Sequence, residues 1–163
     1  MSMKAALLAE WDQEMAGTRR ALASIPDGKF DWAPHSKSMK LGRLGEHVAT
    51  MGMWATQICT SDVFDFATYP RPALPTTTAE ILATHDQWSA QGRAALAALD
   101  ESKLTGHWAL KNGEHVLFSR PRADVLRSFV MNHMIHHRAQ LTVYLRLLDV
   151  KVPGLYRPTA DDR

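Results

Sequence analysis

Eight histidines in 163 residues are the richest chemical signal in this sequence. His133 and His137 stand four apart in a stretch of helical periodicity, so their imidazoles stack on one face, close enough to share an ion. Short spacings of this kind also arise by chance, and here the context adds weight. The pair falls on the inward stripe of the longest predicted helix, where each neutral imidazole needs a partner. His47, inward on a second helix, could supply a third ligand, because neighbouring helices of a bundle lie roughly 8–10 Å apart. Three neutral imidazoles leave a divalent ion its charge and an open position, where bound water or a bound thiol becomes acidic. The plain alternative is a set of hydrogen-bonded core histidines with no metal.

The other chemically active residues carry less. His85 faces inward on a third helix, as a fourth ligand, a pocket-lining group or a core residue. His136 lies about 100° round the helix from the pair and reads as a flank or solvent position. His35, His107 and His115 fall in loop or hairpin and read as surface groups. Glu46 and Glu114 could approach a site, but neither has a spacing that assigns it a role, so no catalytic residue is named. Cys59 is the single cysteine, which excludes an intrachain disulfide and a thiolate metal cluster. It reads as a small buried hydrophobe near a helix end. The five tryptophans read mainly as core, with Trp54 and Trp88 able to wall a pocket.

These side chains need elements to hold them. Leu8, Trp11, Met15, Thr18 and Leu22 recur at spacings of three and four, which predicts an amphipathic helix over 4–24. Pro26 and Gly28 turn the chain, and residues 30–36 continue as an extended loop. A second helix runs from 39–41 to about 60, with Leu44, His47, Val48, Met51, Trp54 and Ile58 on one stripe. Pro70, Pro72 and Pro75 make 62–75 a connection, long enough to cross the bundle end. Thr77 and Glu80 form a capping box for a third helix to about Leu99, whose stripe includes Ile81, His85, Trp88, Gly92 and Leu96. Asn112-Gly113 between two short apolar runs predicts a two-stranded hairpin with a type I′ turn. From Pro121 to Leu148 nothing interrupts a fourth helix of about 28 residues, roughly 42 Å long. The tail, about 150–163, reads as irregular. The expected architecture is all-α: one domain, 1–163, a four-helix bundle with a crossover connection and a small β-hairpin before the last helix.

Composition removes several classes of function. The 19 basic and 17 acidic residues leave a net charge of +2, too weak a field for nucleic acid or an anionic membrane. No apolar run reaches a membrane span and no signal-peptide core develops at the start, so the expected location is the cytoplasm.

Residues 133–146, His-Met-Ile-His-His-Arg-Ala-Gln-Leu-Thr-Val-Tyr-Leu-Arg, followed by Val152-Pro153-Gly154-Leu155-Tyr156-Arg157-Pro158, resemble the last helix and tail of the DinB-like superfamily. Leu41-Gly42-Arg43-Leu44-Gly45-Glu46-His47-Val48 resembles the start of that family's second helix. The likeness covers nearly the whole chain and departs at Arg157, where a glycine is expected. It implies a four-helix bundle with a divalent metal held by His47, His133 and His137, with Zn²⁺ or Ni²⁺ foremost and Fe²⁺, Mn²⁺ or Co²⁺ as the other choices. It also implies a homodimer, and a metal-dependent enzyme such as a thiol-dependent transferase or a hydrolase, acting on a small molecule with a low-molecular-weight thiol. The alternative is a non-catalytic metal- or ligand-binding module of a stress response.

Overall fold

The computed structural model describes residues 2–70 and 73–162. Pro72, part of the predicted connection, lies outside the described residues, as does Arg163 at the end of the tail. Helix α1 spans Met3–Ala23, capped by Ser2, whose hydroxyl accepts from the Ala5 N–H at 3.2 Å. Its buried face holds Trp11, Met15, Thr18 and Leu22 as predicted, with Leu7 buried where Leu8 was expected and Leu8 half-buried, and also the acid Glu14.

The predicted second helix is two, α2 over Leu41–Ala49 and α3 over Met51–Thr60. The break falls at Thr50, whose hydroxyl donates to the carbonyls of Glu46 and His47 at 3.0 and 3.2 Å. A threonine hydroxyl that bonds back one turn competes with the ladder and bends the axis. The preceding loop, expected to be extended, folds back on α2: the N–H groups of Leu41 and Gly42 donate to the carbonyls of Trp32 and Phe30.

The stretch read as a bare connection contains a strand, β1 (Val63–Asp65), and one 3-10 turn, Phe66–Thr68. Helix α4, Thr78–Ala98, starts at the predicted cap, with the Thr77 hydroxyl accepting from the Glu80 N–H at 3.2 Å. Strands β2 (His107–Asn112) and β3 (His115–Pro121) form the expected hairpin. Because β1 pairs parallel to β2, the sheet has three strands in the order β1-β2-β3. The alternation Val63-Phe64-Asp65 with Phe64 buried was the available signal, masked by the prolines after it. The turn residues are Gly113 and Glu114, and Gly113 alone has positive φ, at 59°. That is the type II′ pattern with glycine first, one residue later than the predicted type I′ turn.

The last helical arm is not a uniform α-helix. Arg122–Val125 forms α5, Leu126–Asn132 winds as a π-helix, and His133–Leu147 forms α6. It ends at Asp149, the one non-glycine residue with positive φ among the described residues, at 58°. Arg157 needs no such conformation, so the tail accommodates it where a glycine was expected.

Packing sets the ring order of the bundle. Helix α1 packs on α4 and α6, and the α2–α3 arm packs on the same two, so α1 lies diagonal to the α2–α3 arm and α4 lies diagonal to α6. The diagonals are therefore crossed by the first connection, between α1 and α2, and by the third, which carries the hairpin. The crossover expected in the second connection lies in these two instead, since that connection joins neighbours. The consequence for the site is that α2 and α6 are side by side.

Candidate metal centre

Helix α2 presents His47 one turn before the Thr50 break, and α6 presents His133 at its first residue and His137 one turn on. The Nε2 atoms of His47 and His133 lie 3.4 Å apart, and those of His133 and His137 lie 2.8 Å apart. One ligand atom from each of the three residues falls within 4.8 Å of the others, and all three residues are half-buried. The buried stripe of α6 runs through Met134, Arg138, Leu141 and Leu145, so the histidines flank the core seam instead of lying in it.

Burial drives all three imidazoles toward the neutral form. His47 falls from 6.5 to about 4, first by desolvation and then by the charges that His137, His133 and Arg43 would present. His133 and His137 are also lowered, mainly by burial, against hydrogen bonds to the Phe129 carbonyl and the Gln140 side chain. His137 donates from Nδ1 to Gln140 Oε1 at 2.7 Å, which leaves its Nε2 lone pair aimed at the other rings. Three neutral nitrogens converging on one point, with an orienting acceptor behind one of them, are the donor set a divalent ion requires. Bonds of about 2.1 Å to a tetrahedral ion set its nitrogen ligands about 3.4 Å apart; the His47–His133 pair has that spacing, and the His133–His137 pair at 2.8 Å would open by about 0.6 Å to share an ion.

The remaining histidines separate cleanly. His85 is buried on α4 and lies 3.2 Å from Asp86 through Nδ1. Its Nε2 has no partner among the described residues, and it borders a shallow depression of about 280 Å³ between α1 and α4. It stands outside the three-histidine group, which overturns the fourth-ligand option: α4 is diagonal to α6, so its inward groups do not reach that face. His136 is exposed, with its ring 4.9 Å from that of His137. His35, His107 and His115 are exposed in loop and hairpin, as expected.

The cluster opens on a cleft of about 930 Å³ bordered by α2, α3, the Phe66–Thr68 turn and the hairpin. Of the two carboxylates considered, Glu46 lines this cleft and Glu114 sits exposed on the hairpin turn. Glu46 is 8% exposed, its carboxyl is raised by burial, and it accepts from Arg43 Nη1 at 2.6 Å. Trp54 walls the cleft; Trp88 does not, because its backbone packs against Gly52 between α3 and α4. Arg43, Phe129 and Gln140 were missed, although Arg43 and Gln140 stand at helical spacings from His47 and His137 that could have flagged them.

A helical bundle with crossed connections, a small sheet at one end and three converging histidines between adjacent helices defines a recognisable class. The sequence model of the DinB family matches residues 1–162, and the chain belongs to that family. It is 28% identical over 156 residues to uncharacterized protein YrdA of Bacillus subtilis (strain 168), covering 95% of this chain and 89% of that protein. Its fold is similar to the crystal structure of a DinB-like protein from Bacillus cereus ATCC 10987, with TM-score 0.69 and 22% identity over 92% of this chain and 95% of that one. It is also similar to a DinB-like protein, YjoA, from Bacillus subtilis, with TM-score 0.70 and 16% identity over 92% and 96% of the two chains.

Proposed function

We propose that this protein binds one divalent metal ion through Nε2 of His47, His133 and His137 and acts as a metal-dependent enzyme on a small molecule. The observation that carries the reading is the convergence of three neutral imidazoles at the edge of an open cleft, with His85 too remote to complete a closed four-ligand site. An ion held by three neutral ligands lowers the pKa of a bound water or thiol toward neutrality, which serves hydrolysis or thiol transfer. Zn²⁺ or Ni²⁺ suits three imidazoles best, with Fe²⁺, Mn²⁺ and Co²⁺ also within range. The protein's own groups hold the rest of the site: Gln140 fixes the His137 tautomer, and Phe129 connects the Trp54 wall of the cleft to His133.

The test is the melting temperature of metal-stripped protein on adding Zn²⁺ or Ni²⁺. An ion bound only by the folded state at about a hundred times its Kd raises it by about 5–10 °C. His47→Ala, His133→Ala and His137→Ala each abolish that shift. A shift of wild-type size in His47→Ala would remove this residue from the site.

We also propose a homodimer, supported by Val143 and Leu147, which lie one turn apart and more than half exposed on the outer face of α6. Sedimentation at a concentration-independent mass of 18.2 kDa would reject it.

A further inference from the structure

The cleft has a polar and an apolar part. Arg43, Glu46 and His47 lie within two turns on α2 with His133 beside His47, and Trp54, Phe66, Leu74 and Leu117 supply the apolar wall. Three of these apolar residues are unusually exposed for their type: Phe66 at 40%, Leu74 at 53% and Leu117 at 47%. Single exposed apolar side chains are ordinary, whereas several on one concave wall mark a ligand groove. The aromatic rings are continuous along it. Trp54 lies edge-on to Phe66 at 5.4 Å and to Phe129 at 5.2 Å, and Phe129 lies 5.9 Å from His133. The volume, about 930 Å³, falls within the range of small-molecule sites.

In the polar part, Arg43 is half-exposed, and among the described residues its guanidinium makes one side-chain hydrogen bond, from Nη1 to Glu46. Its other edge is left for an acceptor from solution, and a guanidinium edge matches a carboxylate in a two-point contact. Arg43 stands on α2 and Trp54 on α3, on either side of the Thr50 break.

We propose that this cleft binds a small amphipathic acid, an aryl- or alkyl-carboxylate whose apolar body lies along Trp54, Phe66, Phe129 and Leu117 and whose carboxylate meets Arg43. Its apolar part gains by leaving water against side chains already arranged to receive it, and its head stays in the polar part of the cleft beside the histidines. The inference rests on reading the cleft as the ligand site of the proposed metal centre, yet binding itself requires no ion.

The experiment is a ligand-observed NMR titration of metal-stripped protein with 4-phenylbutyrate and with 4-phenylbutan-1-ol, which differ only in the head group. The acid binds wild type about fivefold or more tightly than the alcohol, and Arg43→Gln brings the two together. Leu117→Asn, at an exposed strand position that leaves the core intact, weakens both by a similar factor; Trp54→Phe, which keeps a ring in the core, weakens both less. Equal affinity of acid and alcohol for wild type, wild-type affinities in Leu117→Asn, or no binding of either probe would overturn the proposal. Zn²⁺ content is measured on the same protein after reloading. Phenylbutyrate binding without Zn²⁺ uptake would uphold the cleft and remove the metal centre; Zn²⁺ uptake without phenylbutyrate binding would do the reverse.

Discussion

Burial favours the uncharged form of all three imidazoles, and that ties the site to pH. His47 titrates at about 4 in the folded chain against 6.5 when free, so as the pH falls the unfolded chain takes up its proton first. The stabilisation from keeping it neutral is complete above about 6.5 and is lost as the pH falls toward about 4. Metal-stripped protein therefore shows a melting temperature that falls across this window, and His47→Leu makes the fall shallower; an unchanged slope would contradict the burial of a neutral imidazole. Next to His137, Arg138 is 2% exposed and donates to Glu14 Oε2 and to the Tyr156 hydroxyl, both at 2.6 Å, and to the Glu14 carbonyl at 3.0 Å. Arg138→Met leaves the buried Glu14 carboxylate without its charged partner, with the Tyr156 hydroxyl still donating to it at 2.8 Å, and costs about 3–5 kcal/mol in urea unfolding, whereas Glu14→Met with Arg138→Met costs less than the single change. A double variant less stable than the single one would sink that account.

At the scale of elements, α3 and α4 approach backbone to backbone. A methyl group on Gly52 would stand 2.5 Å from the Trp88 carbonyl oxygen, and one on Gly92 would stand 2.8 Å from that of Gly52. Backbone cannot step aside as a side chain can, so Gly52→Ala destabilises by about 1–3 kcal/mol, read as a lower midpoint in denaturant with an unchanged m-value. The helices, the Thr77 cap and the hairpin were legible because each rests on local rules: apolar period, capping chemistry and turn residues. The π-helix before His133 was not, since nothing in the periodicity marks it. Nor were the Thr50 break and strand β1, because one is decided by a hydroxyl that periodicity does not see and the other by a partner strand distant in sequence. Glu14 and Arg138 were missed for the same reason. Each is a charged residue on an apolar face, tolerated only because the other lies opposite it, 124 positions away. Arg122 is a further case, buried at 6% and donating to the carbonyls of Ile58, Ser61 and His107, where it ties the end of α3 to the hairpin.

For the whole molecule, ring order decides which histidines meet. With α1 diagonal to the α2–α3 arm and α4 diagonal to α6, α2 and α6 are neighbours and bring His47 to His133 and His137, while His85 on α4 borders the α1 side. The identity of the three converging residues was readable from helical spacing together with the family resemblance; the exclusion of His85, and the cleft built from the Phe66–Thr68 turn and the hairpin, required the tertiary arrangement. The most direct test is elemental analysis of protein purified without a histidine tag, alongside His133→Ala and His137→Ala. About one divalent ion per chain in wild type, and none in either variant, is the expected result. Wild-type metal content in both variants, or a wild-type protein that stays metal-free after incubation with Zn²⁺ and Ni²⁺ at pH 7.5, would contradict it.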